Sequence, residues 1–239
     1  MVTTDTRRAE RALHRRAGLA CGAAEAAGVA GRFLVWEQAG LLAVVASDPA
    51  LGFLSTMSGV DAAAPVLELL DSPVWGGVEP TVVVPSGMTV PGLVRVADRG
   101  LALRTLDETP AREDIRADDD FLPVLLAGYE VDGTVAAFIA AEHGLPEVHR
   151  FVAVAHDVPI AAAAMTIHDG VAVLGGASTL RAHRGKGAQP RLLRHRLRVA
   201  AEAGCDLAVA TVVPDSVSAK NLARAGFTVH RRAALVRID

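Results

Sequence analysis

The chain has 239 residues, of which 51% are hydrophobic and 21% charged, and its net charge is -3. This length is enough for one large domain or two small ones, and the composition is not that of a disordered chain. The chain lacks the excess of basic residues that nucleic-acid binding proteins carry, so we expect no nucleic-acid partner. Cys21 and Cys205 form neither a disulfide framework nor a zinc-binding pattern, and we expect no bound metal.

The N-terminal region, residues 1–32, is rich in alanine and arginine and is predicted to be helix-prone. Gly18, Gly22 and Glu25 interrupt its apolar stretches, so it lacks the apolar core of a secretory signal. No run of 18 apolar residues is free of charges and turn residues, which argues against a membrane span. We therefore expect a cytoplasmic protein with no membrane partner.

The first half of the chain alternates short apolar runs with turn residues. In chain order, the pattern predicts strands at 40–47 and 51–58, a helix from Asp61 to about Leu70, a strand at 81–84, a short helix at 89–98 and a strand at 101–106. A charged stretch with little apolar periodicity follows at 105–120. We interpret it as a linker, although a surface loop of a single domain would have the same composition.

The second half has better defined elements. The pattern predicts helices near 120–128 and 132–142, strands at 149–155, 159–167 and 171–180, a long helix at 187–203, a strand at 206–213, a short helix at 216–224 and a final strand at 227–238. Asp169-Gly170 is typical of a hairpin turn, and Gly204 is typical of the residue that follows a helix. This mixture predicts an α/β protein of the mixed α+β class.

The two halves show a faint internal repeat. TVVVPS (81–86) and TVVPDS (211–216) each follow a Ser-Thr pair and a helix, and each precedes another helix and a glycine. Either a duplication or chance similarity between two α/β segments would produce this pattern. We favour a duplication in which only the C-terminal copy kept its site, and we divide the chain into residues 1–32, a degenerate half at 33–112 and an intact half at 118–239.

The sequence STLRAHRGKGAQ (178–189) joins a predicted strand to the long helix. A glycine-rich turn at a helix N-terminus exposes backbone N–H groups, and the helix dipole adds partial positive charge, which suits a phosphate. Arg184 and Lys186 would add charge-assisted contacts. The P-loop pattern is absent because Gly187 follows Lys186, and the GxGxxG pattern is absent because Pro190 stands at the third glycine. An ordinary surface turn would also have this composition.

The order of elements around this loop resembles the GCN5-related N-acetyltransferase (GNAT) superfamily, which has an Arg/Gln-x-x-Gly-x-Gly/Ala loop at the start of its central helix. Arg184, Gly185 and Gly187 stand in the expected places. Gln189 departs from the pattern at the sixth position, where Gly or Ala is usual.

A second stretch, from Ser218 through Asn221 to Gly226-Phe227, is similar to the family's next element. The resemblance covers roughly 120–239, and the first half resembles only a degenerate copy. It implies a GNAT fold, with a mixed central sheet and flanking helices, in two tandem halves.

The resemblance also implies that the protein binds acetyl-CoA. The backbone N–H groups of 185–189 would bind the pyrophosphate, and the end of the strand at 177–179 would pair with the pantetheine arm. The implied cofactor-binding residues are Ala177, Ser178, Thr179, Arg184, Gly185, Lys186, Gly187, Ala188, Gln189, Ser218 and Asn221.

Many members of the superfamily use a tyrosine on the short helix as the acid. Here that position is Leu222, and the only tyrosine of the chain, Tyr129, lies upstream of the strands. Ser218 is the nearest polar residue on the same helix, although capping or cofactor contact suits a serine better. Candidate bases are Glu142, His143, His168 and Glu130, and the sequence does not single one out. Glu142 and Ser218 are retained as catalytic candidates.

The predicted function is an acetyl-CoA-dependent N-acetyltransferase that moves an acetyl group to an amine of a small molecule or peptide. The absence of the usual tyrosine leaves a non-catalytic acyl-CoA-binding sensor as an alternative. A nucleotide-binding module of another kind is a third possibility. A monomer and a homodimer are equally compatible with the sequence.

Overall fold

The computed structural model describes residues 3–108, 110, 113, 115–116 and 120–238. The helices of this part are α1 (Thr4–Ala26), α2 (Ala63–Leu70), α3 (Phe121–Tyr129), α4 (Gly133–His143), α5 (Ala188–Glu202) and α6 (Val217–Arg224). The strands are β1 (Phe33–Gln38), β2 (Leu41–Ala46), β3 (Thr56–Ser58), β4 (Thr81–Pro85), β5 (Leu93–Thr105), β6 (His149–Ala155), β7 (Val158–His168), β8 (Val171–Thr179), β9 (Leu207–Val212) and β10 (Thr228–Arg237). Short 3₁₀ helices lie at Pro49–Leu54, Pro73–Trp75 and Arg181–His183.

All ten strands form one mixed sheet, in the order β1-β2-β3-β4-β10-β5-β9-β8-β7-β6. Counted from either edge toward the centre, the sheet shows the same order of parallel and antiparallel strand pairs. In β1-β2-β3-β4-β10 the successive pairings are antiparallel, antiparallel, parallel and antiparallel. In β6-β7-β8-β9-β5 they follow the same sequence. A mixed α+β fold with a central mixed sheet is thereby confirmed.

The last strand of each set comes from the other part of the chain. β5 follows β4 in the sequence but pairs with β9, and β10 follows β9 but pairs with β4. β5 and β10 also pair with each other, from Thr228↔Leu103 to Arg237↔Leu93. This exchange joins the two sets into a single sheet.

Helices cover both faces of the sheet because successive side chains of a strand point to opposite faces. On one face, Ala9 and Ala12 of α1 pack against four residues of the central strands, namely Val171, Val173, Leu207 and Val209. α3 covers the same face of β7, where Phe121 and Leu125 contact Ala162 and Ala164. On the opposite face α5 packs Leu192 and Leu197 into a core with Ala163, Met165 and Ala208.

Two predictions in the first half are wrong. The helix predicted at 89–98 is absent, and its residues from Leu93 onward are the start of β5. Val94 and Val96 favour an extended backbone there, and β10 pairs with β5 between Leu93 and Leu103. The predicted strand at 51–58 is a 3₁₀ helix up to Leu54, because Pro49 suits its first turn and Asp48 accepts a hydrogen bond from the Ala50 N–H at 2.8 Å.

Two further differences concern shorter features. β1 was not predicted, and it forms an edge of the sheet. Helix α2 begins at Ala63, with Ala62 rather than Asp61 at its N-cap. The Asp61 carboxylate lies 2.9 Å from the Arg7 guanidinium of α1 instead. The strand predicted at 101–106 is only the end of β5, which begins at Leu93. The other predicted elements are confirmed, with ends shifted by a few residues.

The charged stretch at 105–120 is described only in part. Glu113 accepts a hydrogen bond from Arg194 of α5 at 2.6 Å, and Arg116 forms a β-bridge with Val152. Ile115 packs against the core beneath α5. Positions 109, 111–112, 114 and 117–119 lie outside the described residues, as do the domain limits placed at 1, 112, 118 and 239.

Candidate functional site

Strands β8 and β9 separate at their C-terminal ends. Their parallel pairing extends only over Val171–Val173 and Leu207–Val209. Beyond it, β8 continues to Thr179 and β9 to Val212 without further pairing between them in the described residues. The sheet therefore opens into a gap with one free strand edge on each side.

A bulge in β8 borders this gap. The register between β7 and β8 shifts between Ala162 and Ala164, which leaves Gly176 and Ala177 as the bulged residues. Gly176 has a φ of +57°, and a Cβ on it would lie 2.1 Å from Nε2 of His143. Only glycine fits here, because both the backbone conformation and the space exclude a side chain.

The loop that follows β8 leads into the N-terminus of α5. Gly185 and Gly187 have φ values of +77° and +82°, and a Cβ on either would contact nothing within 4 Å. Gly187 is the N-cap of α5 and provides no side-chain hydrogen bond. In the described chain, the backbone N–H groups of 185–189 donate to no protein acceptor. These amides, at the positive end of the helix dipole, are therefore left without a protein partner in the described residues.

The two basic residues of the loop differ in their contacts. Arg184 donates from Nη2 to the Gly128 carbonyl and to the Glu130 carboxylate, both at 2.9 Å, and from Nε to the Thr179 carbonyl at 3.2 Å. It therefore holds the loop against the end of α3. Lys186 is exposed. An anion at this loop could be contacted by the exposed Lys186, whereas Arg184 would have to leave part of its network to reach it.

Gln189 holds the first turn of α5 against β8. Its Nε2 donates to the Ser178 carbonyl at 2.6 Å and to the Thr179 hydroxyl at 3.1 Å. The Ser178 hydroxyl is buried and donates to the Leu125 carbonyl of α3 at 3.0 Å. The glutamine is long enough to make contacts that an alanine or glycine at this position would lack.

The hydroxyl of Tyr129 lies at the bulge. It accepts a hydrogen bond from the Ala177 N–H at 2.8 Å. Burial raises the pKa of Tyr129, so the hydroxyl keeps its proton at neutral pH. The sequence alone places Tyr129 only upstream of the strands, outside the predicted site. Its being the only tyrosine in the chain was the one available signal.

Glu142 and His143 lie on the α1 side of the bulge. Glu142 accepts a hydrogen bond from Nε of Arg16 at 2.8 Å, and Arg16 donates to the Val173 carbonyl at 3.2 Å. Both side chains of this ion pair are largely buried, 10% and 15% exposed. The structure thus places the candidate Glu142 beside the gap, held by an arginine that the sequence did not suggest.

His143 is buried next to this ion pair. Burial lowers its pKa, so the ring is neutral at pH 7. Nδ1 lies 2.8 Å from the Ile139 carbonyl, which places the proton on Nδ1. Nε2 is then an acceptor, and within the described residues it has no hydrogen-bond partner.

Arg196 of α5 approaches the bulge from the other face. It is buried and donates to the Ala164 carbonyl at 3.1 Å. Burial lowers the pKa of Arg196 to about 10, which still leaves the guanidinium charged at neutral pH. Arg16 and Arg196 thereby place two buried positive charges on opposite faces of the bulged strand.

Comparison with known proteins identifies the family. Residues 103–227 match the profile of the acetyltransferase (GNAT) family, which is more than half of the chain. This chain belongs to the GNAT acetyltransferase family. It is thus an acyltransferase by family. No curated protein matches the sequence.

Solved structures of GNAT proteins share the fold over nearly the whole chain. A GCN5-related N-acetyltransferase from Kribbella flavida is 20% identical, with a TM-score of 0.58, over 94% of this chain and 96% of that protein. One from Sphaerobacter thermophilus is 16% identical, with a TM-score of 0.58, over 93% and 90% of the two chains. A GNAT acetyltransferase from Colwellia psychrerythraea is 15% identical, with a TM-score of 0.54, over 87% and 86%. The shared GNAT fold thus extends beyond the residues of the family match.

Helix α6 carries the last of the predicted site residues. Ser218 is exposed, and Asn221 accepts a hydrogen bond from Arg224 at 3.3 Å. Leu222, at the position where many GNAT enzymes have a tyrosine, is buried in the core beneath α5. This helix therefore offers no tyrosine hydroxyl to the gap. The chain's single tyrosine, Tyr129, lies on the β8 side of the gap.

Two classes of site are not found in the described residues. No group of three or more His, Cys, Asp or Glu side chains there is arranged to hold a metal ion. None of the described helices is both long enough and apolar enough to cross a membrane.

Proposed function

We propose that the protein is an acetyl-CoA-dependent N-acetyltransferase that moves an acetyl group to an amine of a small molecule or peptide. The observation that supports this most directly is the gap between β8 and β9 beside a loop of uncommitted backbone amides. The gap is the region in which β8 and β9 no longer pair with each other, and the loop begins where β8 ends. One extended ligand with an anionic group could occupy both features.

The loop residues fit the pyrophosphate of acetyl-CoA. The N–H groups of 185–189 are unpaired in the described chain and stand at the positive end of α5. Gly185 and Gly187 leave the approach to those amides open. Lys186 would add a charge-assisted contact. The free edges of β8 and β9 would take the pantetheine arm as an added strand, at Ala177, Ser178 and Thr179 on one side.

The bulge fits the reacting end. When bound, acetyl-CoA supplies a thioester whose C–S bond breaks as the acceptor nitrogen bonds to its carbonyl carbon, while the amine proton is lost and the thiol leaves. The Ala177 N–H would bind the carbonyl oxygen after the Tyr129 hydroxyl moves away from it. Arg16 and Arg196, buried on either face, stabilise negative charge at this position because the surrounding dielectric is low.

Two side chains at the bulge are able to exchange a proton. The Tyr129 hydroxyl is protonated at neutral pH and would donate a proton to the leaving sulfur. Glu142 is held by Arg16 and would have to release that guanidinium to act as a base. Ser218, on α6, would contact the pantetheine rather than the reacting atoms, together with Asn221.

We also propose that the chain is a tandem GNAT protein whose first half, 33–112, is a degenerate copy of the second, 118–239. The repeated pairing order of the two strand sets supports a duplication. The first half has no arginine-glycine loop after β3, where its sequence is SGVDAAAP. The cofactor would accordingly bind to the second half. We propose a cytoplasmic location for the protein.

Calorimetric titration of acetyl-CoA into the wild type and a Gly187→Glu variant tests the site. We expect the variant to weaken binding by about a hundredfold or more, since a carboxylate introduced beside the bound pyrophosphate would be strongly repelled. Gly77→Glu is the matched control, because Gly77 has a φ of +84°, an open Cβ position and a distant location. Equal affinity in wild type and Gly187→Glu would place the cofactor elsewhere.

One observation favours a second candidate, a non-catalytic acyl-CoA-binding protein. Leu222 is buried where many GNAT enzymes have their acid. Turnover of acetyl-CoA with a panel of amines, above the hydrolysis background, would support the enzyme. Tight binding of acetyl-CoA without such turnover would support the sensor, and competition by ATP but not by CoA would oppose both.

A further inference from the structure

A cavity of about 510 Å³ lies between α1 and the sheet. Its lining comes from the N-terminal helix, from β2, β3 and β4, and from the three central strands β5, β9 and β10. Thr211–Val213, which form the β9 side of the gap, line it as well. Ala17 of α1 lines the cavity, and the neighbouring Arg16 reaches the bulge of β8. The cavity therefore adjoins the place where the acetyl group would be transferred.

Most of the cavity wall is apolar. The apolar lining residues are Leu13, Ala17, Val44, Phe53, Leu54, Val83, Leu101, Val212 and Val213. Phe53 is 58% exposed, so an aromatic ring stands at the surface with one side toward the cavity. A volume in this range and an apolar wall suit a small ligand with a hydrophobic body.

The charged groups of the cavity do not balance. Glu10 and Arg232 form an ion pair at 2.7 Å, and both side chains are largely buried. Burial lowers the pKa of His14, so that ring is neutral at pH 7. Arg99 also lines the cavity, is exposed, and has no hydrogen-bond or ion-pair partner among the residues described. The cavity lining therefore has a net charge of one positive unit, carried by Arg99.

The position of the Arg99 charge destabilises the sheet. Arg99 stands directly opposite Arg232 in the antiparallel pairing of β5 and β10. Like charges at directly opposite positions destabilise a sheet. Glu10 offsets one of them, so Arg99 is the cation available to an anionic ligand group, and a guanidinium binds a carboxylate through two parallel hydrogen bonds.

We infer that the amine acceptor is an α-amino acid with an apolar side chain, whose carboxylate binds to Arg99. This inference rests on the proposed transferase function. β5 and β9 are adjacent strands about 5 Å apart, so a carboxylate on Arg99 lies close to the gap. An α-amino acid carries its amine on the carbon next to the carboxylate, which places the nitrogen near the thioester. The side chain then occupies the apolar part of the cavity.

Paired substrates test the role of the carboxylate. We would measure thiol release from acetyl-CoA with leucine against isoamylamine, and with phenylalanine against phenethylamine, which lack only the carboxylate. The wild type is expected to prefer the amino acids by about tenfold or more in kcat/KM, as a charge-assisted contact contributes. Arg99→Gln should abolish that preference, mainly by raising KM for the amino acids.

Arg95→Gln is the matched control, since Arg95 lies on the same strand, is exposed and does not line the cavity. It should retain the wild-type preference. Arg99→Gln is expected to fold normally, because it removes a repulsion with Arg232. Equal turnover of amino acids and amines by the wild type, or an unchanged preference in Arg99→Gln, would overturn the assignment.

Binding without acetyl-CoA separates this inference from the proposed function. Saturation-transfer NMR with phenylalanine alone should show binding to the wild type and to Arg95→Gln, and none to Arg99→Gln. That result would support the cavity assignment even if no acetyl group were transferred, in which case only the transferase proposal fails. Absence of phenylalanine binding to the wild type would overturn the assignment while leaving acetyl-CoA binding intact.

Discussion

Replacing Gly176 with alanine should destabilise the protein through two separable effects. The first is conformational, since Gly176 has a φ of +57° and a residue with a Cβ is disfavoured there. The second is steric, since the new Cβ would lie 2.1 Å from Nε2 of His143 and about 3 Å from two further ring atoms. His143 cannot easily move, because it is buried, is held by the Ile139 carbonyl at 2.8 Å and packs 5.5 Å from the Phe121 ring.

The size of each effect follows from the structure. A left-handed conformation costs about 1–2 kcal/mol for a residue other than glycine. To reach ordinary contact distance the imidazole or the strand would have to shift by about 1.3 Å or more, and overpacking a core in this way costs about 1–3 kcal/mol. Gly176→Ala should therefore lower the free energy of unfolding by about 2–5 kcal/mol, a large part of the stability of a typical domain.

Urea unfolding of four proteins would separate the two effects: wild type, Gly176→Ala, His143→Ala and the double variant. In the His143→Ala background the alanine should cost only the conformational part, so a coupling energy of about 1–3 kcal/mol is expected. Gly133→Ala is the matched control, because Gly133 has a φ of +56° and nothing within 4 Å of its Cβ position. An equal cost of Gly176→Ala in both backgrounds, or a cost no greater than that of Gly133→Ala, would refute the reasoning.

Two more predictions concern binding and pH. Tyr129→Phe should bind acetyl-CoA about two- to tenfold more tightly in calorimetry, because the Ala177 N–H loses its internal acceptor and becomes free for the ligand; an unchanged or weaker affinity would show that this amide is not used. Burial lowers the pKa values of His14, His143 and His195. At a pH below about 6.5 the folded state therefore binds fewer protons than the unfolded state. The free energy of unfolding should consequently fall as the pH drops from about 6.5 toward those lowered pKa values. Urea unfolding at pH 7.5 and 5.5 should show a shallower dependence for His143→Leu, and an identical dependence would contradict the role given to this ring.

The elements around the loop could be predicted from the sequence because their signals are local. Asp169-Gly170 marks the β7–β8 hairpin, and both residues have the positive φ that such a turn needs. Gly185 and Gly187 occupy positive-φ positions before α5, whose apolar periodicity extends to its observed end. A turn, a helix N-terminus and a hydrophobic stripe each depend on residues within a few positions of one another, and so the sequence alone predicted the fold class and the glycine turn that leads into α5.

The tertiary structure alone decided which strands are neighbours and what surrounds the gap. Residues 93–98 are a strand because β10 pairs along them, although the same residues taken alone suggested a helix. Tyr129 reaches Ala177 across 48 positions of the chain, and Arg99 meets Arg232 because β10 lies between β4 and β5. Contacts of this kind depend on how whole strands and helices pack, and no pattern within a short stretch of sequence specifies the partner from the other half of the chain.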